Sequence, residues 1–280
     1  MGTWAEPRRL TFITTGGAMT DERLYPVGSR VDDLDVSGVH LHGANFEGAK
    51  LTDTYLLGAD ISGDIEGLRV NGIEIEPLVQ AELDRRFPVR IKLRATDIAD
   101  LRDAWSMLEG LWAGTIDRAS RLPESFPLQR VDGEWSLVET LRHLIFATDC
   151  WLHRAIHLTT HPYHPWGLSW SGVGSDWAKE VGIDMSVTPD LAEVLPVRLQ
   201  HQQAVRATLE SLSDRELAEV RTAPGEPGHP NGEHSVLHCV HVLLNEEWEH
   251  HRYAVRDLDL LERRANSIRT DPVIGDTASP

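Results

Sequence analysis

From about residue 34 to 61 the sequence repeats every five residues, and no other feature limits its fold as tightly. Every fifth position reads Leu34, Val39, Ala44, Ala49, Thr54, Ala59. The positions two residues later read Val36, Leu41, Phe46, Leu51, Leu56, Ile61. Glycines stand just before small residues at Gly38, Gly43, Gly48 and Gly58. An amphipathic helix repeats at about 3.6 residues and a half-buried strand at about two, so the pattern is neither.

The segment resembles the pentapeptide-repeat family, whose chain winds as a right-handed square β-helix with one repeat on each side. The resemblance implies that the large and the small residue of each repeat point inward. Solenoids are stabilised by stacking one coil on the next. Six repeats close only about one and a half coils, so this one is expected to lean on another part of the chain. After Ile61 the pattern drifts through Ile65, Val70, Ile73 and Ile75, which read as short strand-like pieces. Residues 76–90, with Pro77 and Pro88, read as a connection holding a short helix. The organisation expected is an irregular segment over 1–30, the repeats over 31–76, a helical domain over 77–264 and a disordered tail over 265–280.

Four long helical patterns occupy the third part. The first, 96–121, carries Leu101, Trp105, Leu108 and Trp112 at helical spacing and stops before Pro123. The second opens at Ser136-Leu-Val-Glu139, a pattern in which serine and glutamate satisfy each other's free backbone donors, and continues to about His157. A loop over 160–188 follows, rich in Trp166, Trp170, Trp177, proline and glycine. It either closes over a ligand or packs the end of the bundle. The third helix spans 190–211, with a shorter helical stretch at 214–220. A turn-rich linker leads to the fourth and longest helix, 235–263.

Composition narrows the function classes. With 41% hydrophobic residues the chain can bury a true core. No apolar run of about 18 residues occurs, so no spanning helix is expected. The N-terminus lacks the apolar stretch of a signal peptide. Cys150 and Cys239 lie inside helical patterns and suggest no disulfide framework. The formal net charge is −17 and no segment is basic, which argues against a nucleic-acid partner. These features describe a soluble cytoplasmic protein with no membrane partner.

Chemistry is concentrated on the fourth helix. Its apolar stripe reads Val236, Val240, Leu244, then Ala254, Leu258 and Leu261, with Glu247 and His251 at the two intervening positions. A carboxylate and an imidazole four residues apart share one face, and a buried carboxylate needs a partner. A histidine hydrogen bond, an arginine from another helix, or a metal ion shared with His251 would each serve. His143, at the margin of the second helix's stripe, is a further ligand candidate. Glu246, Glu249 and His250 flank the Glu247/His251 pair on other faces and read as solvated or supporting groups; His238 and His241 read as structural or surface residues.

The stretches W-S-L-V-E-T-L-R-H-L (135–144) and N-E-E-W-E-H-H-R (245–252) are similar to the DinB/YfiT-like family, which includes mycothiol-dependent maleylpyruvate isomerases and bacillithiol or mycothiol S-transferases. The likeness covers about 94–263. It implies a mainly α fold, a DinB-like four-helix bundle, with one ligand histidine on the second helix and two ligands four apart on the last. Carried over by motif, the ligands are His143, Glu247 and His251. The glutamate matches the maleylpyruvate isomerase branch. Two imidazoles and one carboxylate leave a coordination position open, as in catalytic zinc sites, and nickel, iron or manganese also suit such a set.

The resemblance implies a transferase in which a divalent metal activates a mycothiol-like thiol for attack on a small electrophile. Neither cysteine is placed as the nucleophile, so the thiol is external. The isomerase type carries a further C-terminal domain that the pattern after residue 263 does not suggest, which favours thiol transfer. The alternative is a non-catalytic metal-binding interaction or dimerisation module, and a homodimer is compatible with either. Long acidic pentapeptide-repeat rods can imitate duplex DNA, but this one is too short.

Overall fold

The computed structural model describes residues 28–32, 34–41, 44–170 and 175–270. The irregular reading of 1–27 and the tail reading of 271–280 lie outside the described residues. Contacts divide the chain into two units, one ending at Ile61 and the other starting at Ser62.

In the first unit the five-residue period is a period of corners. Positive φ recurs at Gly38 (71°), Gly48 (70°), Asp53 (53°) and Gly58 (71°). Glycine enters this region without a Cβ penalty, and aspartate is among the few other residues that tolerate it. Three of the corners are closed by backbone bonds, Val39 N–H to Val36 O, Ala49 to Phe46 and Ala59 to Leu56, at 2.9–3.1 Å. The side chains of Asp35 and Asn45 accept from the amides two residues on, bracing the turns that follow. The inward burial expected of the large residues is not reached: Val36, Leu41, Phe46, Leu51, Leu56 and Ile61 remain 38–63% exposed. So short a coil has no further coil to cover it.

The second unit is helical apart from two small hairpins. Strands β1 (Arg69–Val70) and β2 (Ile73–Glu74) pair antiparallel, and helices α1 (Glu76–Arg86) and α2 (Val89–Lys92) lead into the bundle. Its four members are α3 (Ile98–Ser120), α4 (Leu137–Thr148), α6 (Leu191–Ser211) and α8 (Val236–Thr270). Between them lie the short α5 (Ser175–Glu180) and α7 (Asp214–Leu217). The bundle closes as a ring, with α3 touching α8 and α6, and α4 touching the same two. Leu101, Leu108, Leu141, Leu144, Leu209, Leu244 and Leu258, each at most 2% exposed, form its interior. Among the described residues no helix is long and apolar enough to cross a membrane.

Three departures from the sequence pattern bear on the site. First, α4 does not continue as an ordinary helix: from Asp149 to Ile156 it is wound as a π-helix. Second, α8 runs to Thr270, past Arg264 where the apolar stripe fades. Third, the turn-rich linker is framed by a hairpin of β3 (Val220–Ala223) and β4 (Gly232–Ser235). The linker between these strands is fastened from below. Arg154, fully buried, donates to the carbonyls of Thr160, Pro224, Gly225 and Pro230. A charged guanidinium buried without a carboxylate is tolerated here because its N–H groups are spent on carbonyls.

Candidate metal centre

The serine cap predicted for α4 is present in both directions: Ser136 Oγ accepts from Glu139 N–H, and Glu139 accepts from Ser136 N–H. It sets the helix start, and two turns later places His143 on the bundle wall, 7% exposed. The 160–188 loop then orients the ring. Arg142 donates to the carbonyls of Trp166 and Val187, and Leu168 N–H donates to Arg142 O. So held, Leu168 O lies 2.9 Å from His143 Nδ1. A carbonyl only accepts, so Nδ1 carries the proton and Nε2 of a neutral ring is left as a lone pair.

That nitrogen faces a carboxylate oxygen. Glu246 Oε2 is 3.3 Å from His143 Nε2, and the same oxygen is 3.2 Å from His250 Nε2. The three side chains bring one ligand atom each within 4.8 Å of one another. Burial raises the Glu246 carboxyl, but hydrogen bonds to His143 and His250 outweigh it and hold the group well below the usual carboxylate range. Around the cluster lies a cavity of about 400 Å³, walled by Trp135, Phe146, Trp151, Trp170 and His229. Trp135 packs 4.7 Å from the His143 ring and stacks on His250 at 5.9 Å.

Of the three residues expected as ligands, the structure places one in this cluster and two apart from it. His143 is where it was expected. Glu247 and His251 are buried, 2% and 8% exposed, as their place in the stripe required. They do not join His143. Glu247 is ion-paired with Arg198 of α6, so the arginine partner weighed from the sequence is the one found. Burial pushes the Glu247 carboxyl up while Arg198 pulls it down, and the net direction is upward. His251 Nε2 lies 2.9 Å from Thr115 Oγ1 on α3, and burial lowers its pKa. The pair that joins His143 is Glu246 and His250, read from the sequence as supporting groups. The run E-E-W-E-H-H contains the E-x-x-x-H spacing twice, one residue out of step. Successive residues on a helix differ by about 100° in direction, so one copy faces the core and the other the cavity.

Of the other residues singled out, Glu249 pairs with Arg252 on the outer face. His241 Nε2 lies 2.7 Å from Ala95 O and is structural as expected. In the tryptophan-rich loop Trp177 packs against Phe146 and Tyr163, as the packing reading has it, while Trp170, 40% exposed, lines the cavity. His229 was not foreseen. It comes from a proline- and glycine-rich linker whose position depends on Arg154, a contact between distant parts of the chain.

The DinB superfamily family model matches residues 107–254, just over half of the chain, and spans every residue of this cluster. A model for pentapeptide repeats matches eight copies over residues 32–63. No curated protein and no solved structure matches.

Proposed function

The chain belongs to the DinB superfamily, and on that premise we propose that His143, Glu246 and His250 hold one divalent metal ion. We propose further that the protein transfers a low-molecular-weight thiol, mycothiol or one like it, to a small electrophile. The observation carrying the first step is the His143 ring. Its Nδ1–H is committed to Leu168 O, so in the neutral ring Nε2 is an acceptor, and it points at a carboxylate oxygen. Either a proton donated from Nε2 or a cation held between the two satisfies this contact, and His250 Nε2 on the same carboxylate oxygen supplies the cation with a third ligand. The outer hydrogen bond is the kind that fixes the tautomer of a ligand histidine. The 3.2 and 3.3 Å separations match the edge of a tetrahedron with bonds of about 2.0–2.1 Å. Two nitrogens and one oxygen suit zinc with one position open, and nickel, iron or manganese are also accepted by such a set.

A divalent ion supplies Lewis acidity, which lowers the pKa of a bound thiol or water into the neutral range. The chain's own residues supply the rest. Glu246 offsets one unit of the ion's charge, and Trp135, Phe146, Trp151 and Trp170 exclude water and give an apolar face to the substrate. No lysine or arginine lines the described cavity. That favours an uncharged electrophile over a multiply anionic one, and so transfer over isomerisation of a dicarboxylate. His229, held neutral by burial, is available as a hydrogen-bond partner at the wall.

On this reading the sulfur comes from outside. Burial and the neighbouring Asp149 raise the Cys150 thiol well above its ordinary value, and burial raises Cys239 to about 11. Before a metal binds, both therefore stay protonated at neutral pH, where a thiol nucleophile must be a thiolate, although Cys150 borders the cavity. Iodoacetamide is expected to label neither at pH 7 in the folded protein, with labelling of Cys239 rising as pH approaches 11. Rapid labelling of Cys150 at pH 7 would instead place a nucleophile within the chain.

Transfer is tested by incubating zinc-loaded protein with mycothiol and a neutral haloalkyl electrophile. Conjugate should form faster than in buffer, and Glu246→Gln and His250→Ala should remove the excess rate. Metal-loaded protein with no rate above background would overturn the transferase reading and support a non-catalytic module.

A further inference from the structure

We infer that Asp149, His153 and His201 form a second divalent-cation site, built where α4 changes to π-helical winding and distinct from the cluster above. Stretches of π-helix are rare and occur frequently at functional sites. This one begins at Asp149, whose carboxylate is 1% exposed. One of its oxygens, Oδ2, accepts the His164 backbone N–H at 2.8 Å. The other, Oδ1, lies 3.0 Å from His201 Nε2. The His201 ring is oriented from its far side, since Nδ1 lies 2.8 Å from Val197 O and can only donate to it. In the neutral ring Nε2 is then a lone pair pointing at a carboxylate, the same arrangement as in the first cluster. His153, four residues after Asp149, brings a second imidazole, and the three ligand atoms lie within 4.8 Å of one another.

The donor set is again two imidazoles and one carboxylate, which suits a borderline divalent ion of the zinc type rather than calcium or magnesium. The site ties α4 to α6 and, through His164, to the start of the loop whose Leu168 carbonyl orients His143. A cation there would brace that loop from beneath. A protonated His201 paired with Asp149 would satisfy the same buried charge with no metal, and the two arrangements differ in what they bind.

The test is a titration of chelator-treated full-length protein with Zn²⁺ and Co²⁺, followed by calorimetry and visible absorption. Wild type is expected to bind two equivalents, and His153→Ala and Asp149→Asn each one. His153→Ala should weaken one class of site more than about 100-fold, beyond the usual effect of an outer partner, while leaving the other class and the helical circular dichroism unchanged. His250→Ala should lose the other equivalent. One equivalent that His153→Ala loses and His250→Ala keeps would support this site and refute the one proposed above. If His153→Ala and Asp149→Asn bind as much metal as wild type, the second site does not exist.

Discussion

Glu246→Gln and His250→Ala are each expected to cost the protein one equivalent of bound metal, while Glu247→Gln and His251→Ala retain it. The four substitutions fall on adjacent residues of α8 and change the same two residue types. Composition and local helix propensity therefore cannot account for a difference between the pairs. Geometry can: Glu246 and His250 approach His143 across the cavity, whereas Glu247 and His251 are committed to Arg198 and Thr115 in the core. Removing a direct ligand should weaken binding by more than the 10- to 100-fold typical of an outer partner. Elemental analysis of each purified variant decides the matter. Loss of metal from Glu247→Gln with retention by Glu246→Gln would restore the sequence-based ligand set.

The second large effect concerns stability. Arg198→Met is expected to destabilise the bundle by about 3–5 kcal/mol, because it strands the Glu247 charge in a dry interior. For a chain of this size that lowers the melting temperature by about 10 °C. The pair is nearly inaccessible, 3% and 2% exposed, and is incompletely satisfied: Glu247 Oε2 and Arg198 Nε and Nη1 find no hydrogen-bond partner among the described residues. The double change Arg198→Met with Glu247→Leu should therefore recover most of the loss, since apolar replacement of a buried pair is often neutral or better. Thermal unfolding of the three proteins measures this. A single variant within about 1 kcal/mol of wild type would mean that the charge is not stranded.

Both predictions turn on which residues of α8 face the core and which the cavity. The α8 stripe was legible because burial follows helical spacing, and Val236, Val240, Leu244, Ala254, Leu258 and Leu261 are all buried as it implied. Glu247 and His251 share that stripe, and for that reason they are core residues. A ligand to an ion with an open coordination position borders a cavity, which on the proposed reading places it at the edge of an apolar stripe rather than in its middle. His143 already had that position on α4, and Glu246 and His250 have it on α8. Spacing alone could not choose between two overlapping copies of one motif. Other features were hidden because they depend on distant partners or on small changes of pitch. The choice of Arg198 for Glu247 and the Arg154 cage that places His229 are long-range contacts. The π-helical winding at Asp149 leaves the local apolar pattern helical. In the repeat segment the five-residue period was legible, but not that Gly38, Gly48 and Gly58 would mark its corners or that the large residues would stay exposed.

The most direct test of the central claim is anomalous diffraction at the zinc edge from crystals of the zinc-loaded protein. The account predicts a peak within bonding distance, about 2.0–2.2 Å, of His143 Nε2, His250 Nε2 and a Glu246 carboxylate oxygen. A peak bonded to Glu247 or His251, or none beside His143, would contradict it.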